Sequence, residues 1–310
     1  MALSLKKKTT SRSPVGLDID GRYLAAAGVE AGRLSRAASA DLDPGLVSDG
    51  EVRDAPALGD ALKGFFSTHD LPKSVRLGVS NRQIVVRQIE LPWLEDEEQR
   101  DAAIRFQAAD AVAMPLDEAV VDYQIARRLP GVNGAERMQV VVVAARRSMI
   151  EGFMDAARAA GLKPEGIDLN AFALMRALGT DEAEQTSRVY CNVSTLVNLA
   201  IAVGDVCVFT RPLSATWSPG EPGQASTLAD EIRLSIDSYM GQPDARGVGE
   251  VVLSGPGCSD EELAAELGSL LRLPIVVAPP LGVVEGSSVP AEDDPHRYTV
   301  ATGLALGAAA

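Results

Sequence analysis

Two stretches of the chain share one hydropathic pattern: a short apolar run, a polar turn and a second apolar run. The first reads Val15-Gly16-Leu17-Asp18-Ile19, turns at Asp20-Gly21-Arg22, and continues as Tyr23-Leu24-Ala25-Ala26-Ala27-Gly28-Val29. The second reads Val189-Tyr190-Cys191-Asn192-Val193-Ser194, then residues 196–203, a Gly204-Asp205 turn and residues 206–210. Each predicts a hairpin that opens one half of a two-lobed α/β protein. In two-lobed nucleotide-binding folds, such hairpins reach a ligand's phosphates from opposite sides.

Between the hairpins the period changes. Leu58, Ala61, Leu62, Phe65 and Phe66 recur at helical spacing and predict a helix near 55–67. Residues 75–79 and 84–91 read as strands, the second ended by Pro92. Glu95, Asp96, Glu97 and Glu98 mark the first turn of another helix, where negative charge suits the helix dipole, and Ile104, Ala108, Ala111 and Val112 give its apolar face. Strands follow at 119–126 and 138–145, separated by a turn at 130–134. Met149, Ile150, Phe153, Met154 and Ala157 then predict a helix that Gly161 stops. With a last strand at 164–169, residues 75–170 read as a β-β-α-β-β-α module inserted between the parts of a first lobe, 14–74 and 171–187. Residues 188–310 read as the second lobe. It holds its hairpin, helices near 227–240 and 259–271, strands at 250–254 and 274–278, and a closing helix at 301–310. Ser259-Asp260-Glu261-Glu262 has the form of a capping box. The Pro- and Gly-rich stretch 212–225 reads as a linker with no structure of its own.

Composition narrows the function classes. A chain of 310 residues with 46% hydrophobic residues can bury a substantial core. The formal charge of −14, with no basic stripe, argues against nucleic acid as a partner. No apolar run approaches the roughly 20 residues of a membrane-spanning helix. Residues 1–13 carry Lys6, Lys7, Lys8 and Arg12 without an acid or an apolar segment. They predict a disordered basic tail rather than a secretory signal, with a weak electrostatic touch to an anionic membrane as the alternative. Cys191, Cys207 and Cys258 lack metal-ligand spacing and fit small core residues of a reducing cytoplasm. His69 and His296, the two histidines, have no acidic or cysteine partner at zinc-ligand spacing, and no GxSxG element supports a Ser–His–Asp triad.

Eight local strings occur in one order along residues 15–306. They are Val15-Gly16-Leu17-Asp18-Ile19; Asp49-Gly50-Glu51-Val52; Val86-Arg87-Gln88-Ile89-Glu90-Leu91-Pro92; Ile104-Arg105-Phe106-Gln107-Ala108; residues 114–124, from Met114-Pro115-Leu116-Asp117 to Tyr123-Gln124; Val142-Val143-Ala144-Ala145-Arg146; Ala160-Gly161-Leu162-Lys163-Pro164; and Ala301-Thr302-Gly303-Leu304-Ala305-Leu306. In this order the chain resembles the PilM family of type IV pilus assembly proteins, bacterial relatives of actin and of the division protein FtsA. The resemblance implies an actin-like fold of duplicated RNase H-like lobes, with the inserted module in place of one actin subdomain. It also implies a cytoplasmic scaffold at the inner face of the membrane, gripping the N-terminal tail of a PilN-like inner-membrane protein and meeting other platform components. Membrane association would then be indirect. The membrane-anchored L component of type II secretion is a related protein.

The resemblance also implies where a nucleotide would sit: Asp18 and Gly21 in the first turn, Asn192, Ser194 and Thr195 in the second, and Gly255 and Gly257 in the turn after strand 250–254. Asp18 would hold magnesium through water only if ATP binds. The chain departs from the family pattern at each of the two hairpins. Asp20 stands where the first turn has a glycine, and Asn192-Val193-Ser194 replaces an Asp-x-Gly. A carboxylate 4 Å from a phosphate oxygen costs about 4 kcal/mol at an effective dielectric of 20, about three decades of affinity. The stretch 212–225 also replaces a subdomain that covers the base and ribose in the family. No cofactor is therefore expected, no catalytic residue is assigned, and an adaptor is the favoured function. An ATP-binding switch with Mg²⁺ is the alternative. A more distant one reads Asp18 and Asp20 as the nucleophile and general acid/base of a haloacid-dehalogenase-like phosphatase, although Arg22 stands where that motif has Thr.

Overall fold

The computed structural model describes residues 13–307, apart from 113, 116, 131–135, 180–184, 219, 243, 286–288 and 291. The basic tail at 1–12, most of the 130–134 turn and the last three residues of the expected closing helix lie outside the described residues.

The chain opens with a meander of three strands, β1 (Val15–Ile19), β2 (Tyr23–Glu30) and β3 (Arg33–Asp41). A two-residue ladder, β4 (Val47–Ser48) with β5 (Glu51–Val52), leads into α1 (Ala55–Thr68), which Asp54 caps by accepting from Ala57 N–H. The next strand, β6 (Ser74–Val79), returns parallel to β1. A separate layer follows, made of β7 (Val85–Pro92), α2 (Glu97–Ala111), β8 (Ala119–Leu129) and β9 (Arg137–Arg146). The chain then re-enters the first lobe through α3 (Arg147–Ala159), β10 (Lys163–Leu169) and α4 (Asn170–Leu178). A second meander, β11 (Ser187–Asn192), β12 (Asn198–Val203) and β13 (Val206–Pro212), starts the other lobe. It is completed by α5 (Gln224–Met240), β14 (Val248–Ser254), α6 (Glu261–Leu271) and β15 (Ile275–Val277), and the chain ends in α7 (Thr299–Leu306).

The duplication is explicit in the sheets. The first lobe has the order β3-β2-β1-β6-β10 and the second β13-β12-β11-β14-β15. In both, three antiparallel strands are followed by two parallel ones. The central strands are buried on both faces, which is why β1, β2 and β12 carry near-continuous apolar or small residues instead of alternating.

Five expectations need correction. Strand β3 was not anticipated, because Arg33–Asp41 is rich in Ala and Ser and lacks the apolar alternation of a sequence-legible strand. The strands at 74–79 and 163–169, read as the ends of the 75–170 module, pair with the first-lobe sheet, and α3 packs on α1. Only β7, β8, β9 and α2 form the separate layer, with order β7-β9-β8 and a core of Ile104, Ala108, Met138, Val140 and Val142. The closing helix α7, assigned to the second lobe, lies on β1, β2 and α4 of the first. The stretch 212–225 is not a bare linker: Leu213, Ala215 and Trp217 pack into the second-lobe core, and Gln224 bonds the Ser218 backbone through both ends of its amide. At the head of α6 the cap is Asp260, accepting from Glu262 and Leu263 N–H, rather than Ser259.

The α7 crossing is set by Gly16. A Cβ there would overlap Ala301 O and stand 2.7 Å from Ala305 N, so no side chain fits between β1 and the helix. Gly16→Val is therefore expected to destabilise the protein by about 3 kcal/mol or more in urea unfolding. Gly64→Ala, in α1 where nothing lies within 4 Å, is expected to stabilise by up to about 1 kcal/mol in the same assay.

Candidate functional site

Three turns meet at the junction of the lobes. The first joins β1 to β2: Asp20 N–H donates to Tyr23 O at 3.1 Å, and Gly21 takes φ +106° at the bend. This brings two carboxylates inside. Asp18 is 2% exposed, and its Oδ1 accepts from Asn170 Nδ2 over a long 3.4 Å. Burial, then the charge of Asp20, push its carboxyl well above the ordinary range, with Asn170 opposing. Burial also raises Asp20, against the lowering influence of the Thr195 and Ser194 hydroxyls and of the Arg22 and Thr195 backbones. Asp20 Oδ1 is buried without a hydrogen-bond partner. Among the described residues no cationic side chain acts on either carboxyl, and the Arg22 side chain is exposed.

The second and third turns are closed on each other. Asn192 accepts from Ser254 Oγ at 3.2 Å and donates to Ser194 Oγ at 3.1 Å, and Ser194 in turn donates to Leu196 O. Val193, fully buried, bonds Ser254 O through its N–H and receives Gly257 N–H at 2.9 Å. A Cβ on Gly255, which has φ +84°, would stand 2.7 Å from Val193 O, and one on Gly257 would overlap the Val193 side chain. Both glycines are thus accounted for by the valine beside them.

The structure therefore brings Asp18 beside Asp20 and Asn170, with Asp20 facing Ser194 and Thr195. Asn192, Ser194, Gly255 and Gly257 form a second cluster around Val193 and Ser254. The Gly21 Cα faces Val47 O of its own lobe. Asn170 was not identified from sequence, because it reaches the site from α4, remote in the chain. The second turn does not fit a phosphate cradle, which needs small residues and exposed backbone N–H groups: it is filled by the buried Val193, whose own N–H bonds Ser254 O. Nor does Asp18 suit a phosphatase nucleophile, being buried in a strand that turns directly into the antiparallel β2. Cys191 and Cys207 are buried and unpaired, and burial raises the Cys207 thiol to about 12. Among the described residues no cluster could hold a metal ion.

The open space lies elsewhere. One face of the β7-β9-β8 sheet is covered by α2, and the other looks onto the first lobe. Between that second face and β10, α3 and α4 runs a cavity of about 640 Å³, with an apolar wall of Val141, Val143, Met154 and Phe172. A further cavity of about 500 Å³ shares Gln124, Asp168, Phe172 and Arg176 with it and extends to Cys207 of the second lobe. The module is tied to the second lobe here, by Gln88 Nε2 donating to Cys207 O at 3.2 Å and Arg127 Nη2 to Val203 O at 3.1 Å. Ser80 Oγ donates to Asn198 Oδ1 between the lobes themselves.

Residues 24–211 match the family model of the type IV pilus assembly protein PilM. The chain belongs to the PilM family. Among solved structures it resembles a PilM–PilN type IV pilus biogenesis complex at 22% identity and TM-score 0.80, covering 96% of this chain and 99% of the other. The ethanolamine utilization protein EutJ of Carboxydothermus hydrogenoformans follows at 11% identity and TM-score 0.55, over 94% and 89%. The cytoplasmic domain of EpsL, an inner-membrane component of the Vibrio cholerae type II secretion system, aligns at 13% identity and TM-score 0.51, over 95% and 94%. The fold of this PilM-family chain is actin-like, and no described helix is long and apolar enough to cross a membrane.

The buried acids give a test. Because both carboxyls are held above their ordinary range, the folded protein keeps protons that the unfolded chain releases. Stability from this source is complete below the unfolded-state pKa and is lost as pH rises through the folded-state values. Asp18→Asn removes one such charge and supplies a donor for Asn170 Oδ1, which is buried without a partner. The variant is expected to unfold at a higher temperature than the native protein at pH 7, the gap closing as the pH falls toward 4.

Proposed function

We propose that this PilM-family protein is a nucleotide-independent adaptor of a type IV pilus inner-membrane platform. Its groove between the module sheet and the first lobe holds the N-terminal cytoplasmic tail of a PilN-like membrane protein. The observation that carries this reading is the groove itself. Its 640 Å³, walled by apolar side chains and bordered by charged ones, is in the size range of peptide and ligand sites. The solved PilM–PilN complex, a relative of the same fold, supports a partner of this kind. The protein would work at the inner face of the cytoplasmic membrane, held there by its partner. The lobe junction, with its buried acids and its valine-filled turn, serves as structure and leaves the groove as the working surface.

Two measurements on the full-length protein test the proposal. A synthetic N-terminal tail of the PilN-like protein from the same organism is expected to bind, and Gln124→Trp, an exposed position lining both cavities, should weaken binding at least about tenfold. Millimolar Mg-ATP is expected to leave the thermal midpoint unchanged. A rise that Asp18→Ala abolishes would instead establish an ATP-binding switch.

A further inference from the structure

Strand β10 is the outermost strand of its sheet, paired with β6 on one side and with no other strand among the described residues. All six residues from 164 to 169 border the larger cavity. Successive side chains of a strand point to opposite faces, so an unbroken lining run means that the cavity follows the strand's backbone edge. That edge presents unpaired backbone groups to whatever enters, apart from the Leu169 N–H, which donates to Asp168 Oδ1 at 2.8 Å. A register shift between Pro164 and Gly166 leaves Gly166–Leu169 as the regular part of the edge, about four residues long.

Arg76 stands beside this edge. It is on β6 in register with Gly166, and its Cζ lies 3.7 Å from the place a Cβ on Gly166 would take. The missing side chain at 166 lets the guanidinium lie across β10, where it borders both cavities. Its Nε is buried without a hydrogen bond. The nearby acids are otherwise engaged or set apart: Asp168 pairs with Arg176, Glu165 accepts from Ser74, and Asp122 accepts from the Tyr123 N–H. A buried guanidinium donor is ordinarily bonded, and its planar fork suits a carboxylate or carboxamide oxygen.

Resting on the tail-binding role proposed above, we infer that the tail enters as an added β-strand along Gly166–Leu169 and places an oxygen-bearing side chain on Arg76. Backbone pairing supplies much of the affinity with little demand on sequence, alternate side chains meet the apolar wall, and Arg76 fixes the register.

The test uses full-length protein and the fluorescently labelled synthetic tail, read by anisotropy and by hydrogen exchange. Arg76→Ala is expected to weaken binding about ten- to a hundredfold, with an unchanged thermal midpoint. Arg76→Lys, which keeps the charge and loses the fork, should fall between. Bound tail should slow exchange of the 163–169 backbone. If the tail binds and Gln124→Trp blocks it, but Arg76→Ala binds as the native protein does or 163–169 gains no protection, strand addition is wrong and the groove reading stands. If the tail fails to bind, or Gln124→Trp has no effect, the groove reading fails and this inference with it.

Discussion

The contact of Val193 with the turn at Gly255–Gly257 governs what the space between the lobes can hold. β11 and β14 run parallel, so the residues just past their ends are forced together, and a buried valine takes the room between them. Once that room is filled, the neighbouring polar groups close among themselves: Asn192, Ser194 and Ser254 satisfy one another instead of facing outward. On the opposite side, the β1–β2 turn carries Asp20 toward Ser194 and Thr195. Phosphate cradles depend on exposed backbone N–H groups approached through small residues. Here Gly257 is spent on the Val193 side chain and Gly255 on the Val193 backbone.

With the junction closed in this way, the module becomes the informative part of the molecule. It is a small layer with its own core, yet it is not free to swing: Gln88 and Arg127 bond backbone carbonyls of the second lobe, while Val143 and Ala145 pack into the first. A sheet held from both sides over a lobe whose edge strand is bare makes a groove with fixed walls. Fixed walls reduce the ordering cost of binding an extended segment, the usual weakness of peptide recognition. On the proposed reading, a chain of actin-like fold would serve as an adaptor through a surface that the nucleotide cleft does not include.

The two halves and their hairpins were legible in the sequence because their central strands are uninterrupted apolar or small-residue runs ended by Asp-Gly or Gly-Asp turns, and local chemistry is enough to write such a pattern. The helices at 55–68 and 147–159 were legible through their periodicity, and the departures at Asp20 and Val193 could be read directly from residue type. Sheet membership could not. Strands 74–79 and 163–169 look the same in sequence whether they pair with a module or with β1, and the helix at 299–306 is so uniformly apolar and small that nothing marks which lobe it covers. Those choices rest on contacts between residues far apart in the chain, such as Gly16 with Ala301. The groove was invisible for the same reason: Arg76, Gly166 and Gln124 are unremarkable residues in three separate strands, and only the packing of two sheets puts them on one wall. The sequence thus determined the local elements and the chemistry absent from the turns, while the tertiary structure alone decided where the remaining open surface lies, because a cavity is a property of what fails to pack.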